Sequence, residues 1–146
     1  MKIKYFFICL VFPLLFSCSK EQTIEQQIIG TINEIEALAE AGERRKFMKL
    51  VDDDFSGQRN VLNKEEFRRL MVLQWNINRR LHAQLGPIHV NSAGPDTAQA
   101  NFSGLITGGR GFIPERGQFY EFQTTWVRSG GDWLLASAQW KAISDP

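Results

Sequence analysis

The pattern of apolar and polar residues divides the chain into a helical half followed by a sheet half. From Ile24 the apolar positions recur every three or four residues through Ile28, Ile32 and Ile35. This spacing places them on one face of an amphipathic helix, with acidic and amide side chains on the other face. Gly42 follows the last apolar position and is a typical helix end. The sequence therefore predicts a first helix whose apolar face packs on the rest of the domain.

Two further helices are predicted before the sheet half. The second is short, and its buried edge consists of Phe47, Leu50 and Val51. The third is expected to start at Asn63, because an Asn cap with Glu66 three residues later resembles a capping box. Helical spacing of apolar residues continues to Leu81, so we expect this helix to run until Leu85-Gly86-Pro87 turns the chain.

The second half reads as antiparallel strands. Alternating residues predict one strand over Ile88–Asn91 and another from Thr97 to about Thr107, followed by a long irregular connection from Gly108 to Gly117. Residues 118–141 form two aromatic and β-branched runs around Gly130-Gly131, which indicates a β-hairpin. The whole order predicts an α+β domain, with three N-terminal helices packed on an antiparallel sheet.

The closing hairpin carries the aromatic residues that we consider as a ligand surface. With the glycines at the turn, Trp126 would lie opposite Leu135, Thr124 opposite Ser137, and Phe122 opposite Gln139. We expect Trp126 and Trp133 to be core residues as well. The candidate ligand-binding residues are Trp75, Tyr120, Phe122, Trp126 and Trp133.

The start of the chain has the layout of a secretory signal. Lys2 and Lys4 precede an apolar run that is too short to span a bilayer. The segment Leu15-Phe16-Ser17-Cys18 resembles the lipobox of bacterial lipoproteins, which implies cleavage before Cys18 and its acylation. We therefore expect a signal peptide at 1–17, a tether at 18–23 and one domain at 24–146. Ser19 favours the outer membrane facing the periplasm; a plain secreted protein is the alternative.

Composition limits the partners that the mature chain can take. Loss of Lys2 and Lys4 with the signal peptide moves the formal net charge from +1 to −1, which argues against nucleic acid. Cys9 would leave with the signal peptide and Cys18 would carry lipid, so no disulfide is expected in the fold. Stability must then come from packing.

The order of elements resembles the nuclear transport factor 2-like (SnoaL-like) superfamily. Segments that carry the resemblance are Asp53-Asp54-Phe55-Ser56-Gly57, Leu85-Gly86-Pro87-Ile88 and Gly130-Gly131-Asp132-Trp133, within a match from about Ile24 to Ile143. The resemblance implies a cone-like α+β barrel whose curved sheet wraps the helices and leaves a pocket. It also implies frequent homodimers through the outer sheet face. It implies no single function, since this scaffold hosts both enzymes and binding domains.

Catalytic and metal-binding patterns are weak throughout the chain. An isomerase-like base would have to come from Asp52, Asp53, Asp54 or Glu121, with Tyr120 as a hydrogen-bond donor. His82 and His89 have no motif partner. Asp52–Gly57 matches only the first half of a calcium loop, because Asn63 stands where a closing Glu is needed. We expect no metal and no cofactor.

The connection from Gly108 to Gly117 has two possible interpretations. It is either a plain surface loop or a flap or docking tip, with Phe112 and Ile113 as apolar anchors and Arg110 and Arg116 as their rim.

The leading expectation for function is a lipid-anchored, non-catalytic domain that binds a small apolar ligand or a protein partner. One alternative is an isomerase or dehydratase acting on a hydrophobic ring compound. Another is an envelope-assembly accessory that docks a partner on the outer sheet face. We expect that face to hold Glu121, Gln123, Thr125, Ala136, Ala138 and Trp140.

Overall fold

The computed structural model describes residues 21–110 and 114–143, so the predictions at Cys18, Phe112 and Ile113 lie outside the described residues. Three helices precede most of the strands. The elements are α1 Ile24–Glu40, α2 Arg44–Lys49, β1 Val51–Gly57, β2 Leu62–Asn63, α3 Lys64–Ile77, β3 Arg80–Leu85, β4 His89–Ser92, β5 Thr97–Gly109, β6 Arg116–Ser129 and β7 Asp132–Ala142. No described helix is long and apolar enough to cross a membrane.

The strands form one curved sheet against which the helices pack. Its order is β2-β1-β7-β6-β5-β3, and β4 pairs with the other half of the β5 edge. All pairings are antiparallel except that of β1 with β7, which is parallel. The predicted α+β class is confirmed, and the sheet is mostly rather than wholly antiparallel.

Local sequence signals fix where α1 and α3 begin. Thr23 accepts a hydrogen bond from the backbone N–H of Gln26, and the Gln26 side chain accepts one from the backbone of Thr23. Asn63 and Glu66 form the same reciprocal capping box at the start of α3, as predicted. Each box satisfies two backbone donors that a helix start leaves without partners.

The predicted third helix is wrong beyond Ile77. Its last turn gives way to β3, which pairs with β5 from Arg80 opposite Gly109 to Leu85 opposite Gly104. Leu81 satisfied a helical spacing from Ile77, but it also starts an alternation with Ala83 and Leu85. Pairing with the long strand β5 favours the two-residue period over the helical one, because the sheet covers the face that Leu81, Ala83 and Leu85 share.

Two further predictions about the strands need correction. β5 and β6 extend further than expected, with Gly108 paired opposite Arg116, so the irregular connection is shorter than Gly108–Gly117. In the hairpin, Trp126 lies opposite Leu135 as predicted, but Thr124 lies opposite Ala138 and Phe122 opposite Trp140.

A β-bulge at Ala136 causes this change of register in the hairpin. Ser137 pairs with Thr125 and Leu135 pairs with Trp126, so Ala136 is the extra residue. Before the bulge the odd-numbered residues of β7 face the core, and after it the even-numbered residues do. Ala138 and Trp140 therefore face the helices rather than the outer surface. The predicted outer face is therefore wrong at these two residues.

Candidate functional site

The concave face of β6 and β7 is closed at one end by two buried tryptophans. Trp126 is 2% exposed, and its Nε1–H donates to Thr124 Oγ1 at 2.9 Å. The Thr124 hydroxyl in turn donates to the Ala100 carbonyl at 3.0 Å. This chain of hydrogen bonds satisfies the polar atoms of a buried ring.

Trp133 completes this end by contacting α1. It is 4% exposed, and its Nε1–H donates to Gln27 Oε1 at 2.9 Å. The same oxygen accepts from Arg128 at 3.0 Å, and the guanidinium of Arg128 lies over the Trp133 ring at 5.4 Å. We call the region of Trp126 and Trp133 the closed end. Both tryptophans are buried, which confirms the prediction that they are core residues.

Trp75 of α3 is also a core residue. Its ring meets Phe47 edge-on with centroids 5.4 Å apart, and its Nε1–H donates to the Ala39 carbonyl at 2.8 Å. Trp75 thus ties α3 to the C-terminal end of α1 and to α2. Three of the five aromatic residues proposed as ligand contacts therefore hold the helices and sheet together.

The other end of the concave face carries half-buried aromatic rings. Phe102, Phe122 and Trp140 lie side by side on β5, β6 and β7, directly paired across the sheet. The Phe102 and Phe122 rings stack with centroids 5.1 Å apart, and Tyr120 lies 5.9 Å from Phe122. We call these four residues the aromatic floor. It retains two of the predicted ligand contacts, Tyr120 and Phe122.

Helix α3 spans this floor and is anchored at both of its ends. Near its start, Phe67 contacts Trp140 with centroids 6.1 Å apart. Just after its end, Asn78 lies so close to Gly108 that a Cβ there would be 2.5 Å from Asn78 Oδ1. Between these anchors α3 packs mainly on β1 and β2. We call the concave side of the sheet between α3 and strands β5 and β6 the concave groove.

A glycine in β5 lets two apolar side chains pack closely against the strand beside Tyr120. Gly104 lies opposite Tyr120, and a Cβ there would be 3.0 Å from Leu85 and 3.4 Å from Phe122. Gly104 is buried on the same face as Ala98 and Ala100. Tyr120 therefore has a small neighbour on β5 and another, Ala142, on β7.

The ionisable groups considered for catalysis lie outside the groove. Asp53 is exposed and pairs with Lys64 at 2.8 Å; the hydrogen bond and charge of Lys64 lower the pKa of Asp53. His82 is exposed on the outer face of β3, 3.4 Å from Glu40. Glu121 lies on the outer face of β6. Among residues 21–110 and 114–143, Thr124 is the only buried polar side chain.

Metal ligation has no support in the described part of the chain. Within it, no three His, Cys, Asp or Glu side chains come together. In the segment that resembles half a calcium loop, Asp52 accepts a hydrogen bond from the backbone of Asp54 at 2.9 Å. The carboxylates there are used for local structure.

A cavity lies on the sheet face away from the helices, and we call it the outer cavity. It has a volume of about 420 Å³, and Phe119 and Ile143 at its wall are 52% and 38% exposed. Arg116 and Pro114 also line it, whereas Arg110 is exposed at the end of β5. Of the two described residues of the predicted loop site, Arg116 therefore borders the outer cavity and Arg110 does not line it.

Sequence reasoning missed several residues of the groove. Phe102 and Trp140 join the aromatic floor, and Gln74 and Asn78 stand at its far end. The sequence predicts Phe102 only as part of the strand from Thr97 to about Thr107. Trp140 was assigned to the wrong face because nothing in Trp-Leu-Leu-Ala-Ser-Ala-Gln-Trp marks the bulge.

Comparison with solved structures identifies this architecture. A candidate dehydratase of the nuclear transport factor 2-like family from Streptomyces avermitilis matches with a TM-score of 0.72 and 16% identity, over 83% of this chain and 97% of that one. A candidate scytalone dehydratase from Novosphingobium aromaticivorans matches with a TM-score of 0.70 and 11% identity, over 82% and 84%. The chain has the nuclear transport factor 2-like fold.

A third solved structure shows that this fold also occurs within longer chains. Bd1075 of Bdellovibrio bacteriovorus matches with a TM-score of 0.70 and 10% identity over 83% of this chain, which spans 41% of the length of Bd1075. No protein-family model and no curated protein matches the chain. At these identities the likeness shows the nuclear transport factor 2-like fold, which serves ligand-binding and enzymatic domains alike.

Proposed function

We propose that this domain binds a small, flat, apolar ligand in the concave groove without transforming it chemically. The observation that carries the proposal is the aromatic floor: four half-buried rings lie together on the concave face of the sheet, and neither a carboxylate nor an imidazole is among the described residues of this floor. Stacking on aromatic rings favours flat apolar molecules. Pockets for small ligands are typically apolar with a few polar groups.

The arrangement of hydrogen bonds gives further support. At the closed end, the N–H groups of Trp126 and Trp133 are satisfied within the protein. At the floor, ring faces contact mainly one another and remain half-buried. A ligand that covers Tyr120 and Phe122 would remove apolar surface from water and gain about 25 cal/mol for each Å² buried.

A binding titration with a matched pair of variants tests this function. Phenanthrene is added to the wild-type protein, to Tyr120→Ala and to Phe119→Ala, and binding is followed by the anisotropy of phenanthrene fluorescence. Phe119 is the neighbouring ring on the other sheet face, so its removal should leave binding unchanged, whereas Tyr120→Ala should weaken it. Equal binding by all three proteins contradicts the proposal.

The rival function is catalysis of an isomerase or dehydratase kind. Such chemistry needs a base or acid positioned near the substrate, and the described groove residues offer only the Tyr120 hydroxyl. Incubation with hydroxylated ring compounds, followed by mass analysis for loss of water, decides between the two. Turnover that disappears in Tyr120→Phe would replace binding with catalysis as the function.

We also propose that the domain is anchored to the cell envelope, on the periplasmic side of the outer membrane, by acylation of Cys18. The support is the lipobox-like Leu15-Phe16-Ser17-Cys18 sequence together with the capped start of α1 at Thr23, which leaves a short polar tether between anchor and fold. Replacement Cys18→Ala should leave an unprocessed or soluble protein without lipid. A mature-length, lipid-linked Cys18→Ala protein would contradict this assignment.

A second copy of the chain is the partner that the outer sheet face supports best. Phe119 and Ile143 are exposed beside the outer cavity, and exposed apolar patches commonly mark protein contacts. Glu121 and Lys141 pair across this face, so it carries both charge signs and can match its own copy. Light scattering should show a dimer that Phe119→Lys dissociates; a monomeric wild-type protein contradicts the proposal.

A further inference from the structure

The outer cavity has an apolar wall built from neighbouring strands. Leu105 of β5 pairs with Phe119 of β6, and the backbone N–H of Ile143, just after β7, donates to the Phe119 carbonyl at 2.8 Å. The three side chains therefore lie side by side. Phe119 is 52% exposed and Ile143 is 38% exposed. The wall thus presents apolar surface that the described part of the chain leaves in contact with water.

A glycine leaves room in the cavity next to this wall. Gly117 lies opposite Thr107, and a Cβ at Gly117 would be 3.4 Å from Thr107 Cγ2 and 3.6 Å from Leu105. A side chain at this position would therefore take up space beside the apolar wall. The cavity has a volume of about 420 Å³. Pockets for small ligands measure about 300–1,000 Å³, so it has the size for one small molecule.

Two opposite charges stand side by side at the rim of this cavity. Glu115 and Arg116 are consecutive residues that both line it, and both are exposed. Within residues 21–110 and 114–143, neither side chain takes part in an ion pair or a hydrogen bond. A ligand could therefore contact both charges without breaking an existing contact. Cα atoms of consecutive residues are about 3.8 Å apart, so one small polar group can lie near both side chains.

We infer that the outer cavity binds a free α-amino acid with an apolar side chain. The Arg116 guanidinium would donate to the α-carboxylate, a pairing that favours two parallel hydrogen bonds. The Glu115 carboxylate would accept from the α-ammonium group, and the apolar side chain would lie over Gly117 against Phe119 and Ile143. An apolar acid or an apolar amine would leave one rim charge without a partner. Charge complementarity therefore favours a molecule that carries both charges on one carbon.

The outer cavity and the aromatic floor lie on opposite faces of the sheet and would take different ligands. Failure of phenanthrene to bind would overturn the function proposed for the concave groove and leave amino-acid binding in the outer cavity standing. The second copy proposed for the outer face would also pack on Phe119 and Ile143. The amino acid and the second copy would therefore compete for one apolar wall.

The test compares three probes that differ in their charged groups. L-Phenylalanine carries both groups, phenylpropionate lacks the ammonium and phenethylamine lacks the carboxylate. Each is titrated into the protein, and binding is measured by isothermal titration calorimetry. Phenylalanine should bind about two- to fivefold more tightly than either analogue, which is the ratio that one exposed ion pair supplies. Equal binding of the three probes, or no binding of phenylalanine, would overturn the inference.

Matched variants assign each preference to one rim residue. Glu115→Gln should abolish the preference for phenylalanine over phenylpropionate, and Arg116→Gln should abolish the preference over phenethylamine. Both side chains are exposed, so the circular dichroism spectrum should not change. Glu121→Gln is the control, because Glu121 lies on the outer face of β6 but does not line the cavity. It should keep both preferences. Preferences that persist in both rim variants would contradict the roles given to these charges.

A second pair of variants locates the apolar side chain of the ligand. Phe119→Ala should weaken phenylalanine binding, whereas Leu73→Ala, which removes an equally exposed apolar side chain from α3, should leave it unchanged. The reverse result would place the ligand away from the outer cavity and overturn the inference. Phenylalanine should also lower the share of dimer that light scattering detects, because ligand and second copy need the same wall. A share of dimer that rises with phenylalanine would contradict this placement.

Discussion

The closed end and the aromatic floor lie on the same face of the same two strands, yet they differ in how their rings are held. At the closed end, Trp126 and Trp133 are almost fully buried and each N–H has a protein partner. At the floor, Tyr120 and Phe122 are half-buried and contact other rings. One end is completed by the protein itself, whereas the other leaves its rings half-exposed, which is the basis of the proposed ligand binding.

The difference arises from the helix that covers each end. At the closed end, α1 supplies Gln27 as a hydrogen-bond acceptor and Ile28 as a buried core side chain. Over the floor, α3 touches the sheet through Phe67 at one end and Asn78 at the other. If the proposed function holds, stability and binding are separated along a single pair of strands, and variants at the two ends should show this separation.

The largest effect is expected at Trp126. Replacement Trp126→Ala removes a buried aromatic side chain and should lower the free energy of unfolding by about 3–5 kcal/mol. Denaturant titration followed by circular dichroism measures this. Trp126→Phe is the matched control because it keeps an aromatic ring while removing the N–H, and it should cost less. A Trp126→Ala protein as stable as wild type would show that this end is not part of the core.

The closed end could be predicted from sequence because it depends on local patterns. The alternation of apolar residues and the Gly130-Gly131 turn together place Trp126 opposite Leu135. This pair lies between the turn and the bulge, so the bulge does not change its register. The floor depends on longer-range facts. The bulge at Ala136 reverses the facing of Trp140, and pairing with β5 converts the expected helix end into β3. The bulge has no signal in the local sequence, so the facing of Trp140 cannot be predicted from it. The alternation of Leu81, Ala83 and Leu85 does mark β3, but it competes with a helical spacing that continues to Leu81, so the helix end at Asn78 is not predicted.

The second largest effect is expected at Gln27, which joins α1 to the closed end. Gln27→Met keeps the length of the side chain but leaves the buried Trp133 N–H without its acceptor. An unsatisfied buried donor costs about 1–3 kcal/mol, so the free energy of unfolding should fall by that amount. Arg128→Ala removes the exposed partner of the same oxygen together with its contact over the Trp133 ring, and it should cost less, since an exposed cation–π contact contributes about 0.5–1 kcal/mol. Equal losses would show that the Arg128 contact, rather than burial of Trp133, gives Gln27 its role.

The comparison becomes sharper at Tyr120, where stability and binding should separate. Tyr120→Ala removes a half-buried ring that packs on Phe122, and an aromatic pair contributes about 0.5–1.5 kcal/mol. We expect a stability loss in this range together with clearly weaker phenanthrene binding. Tyr120→Phe should retain both properties because the ring remains. A Tyr120→Ala protein whose free energy of unfolding falls by several kcal/mol would show that the aromatic floor is part of the stabilising core, as the closed end is.

A smaller effect is expected from Asp53, which belongs to neither end. The hydrogen bond and charge of Lys64 lower the pKa of Asp53, so its folded pKa lies below its unfolded pKa. The stabilising contribution is therefore present above the unfolded pKa and is lost as pH falls through the folded pKa. The stability difference between wild type and Asp53→Asn should close on acidification. A difference that grows as pH falls would contradict this sign.

The smallest expected effect is that of pH on ligand binding, which should be absent between about pH 5 and 8. His82 and Glu121 lie on the outer face of the sheet, and Asp53 is exposed beside Lys64. The rings, glycines and amides that form the groove do not change charge in this range. Phenanthrene dissociation constants measured across it should therefore agree, whereas the stability of the same samples can still change. A bell-shaped pH profile would instead indicate an acid and a base acting in the groove, as in an enzyme, and would overturn the non-catalytic function.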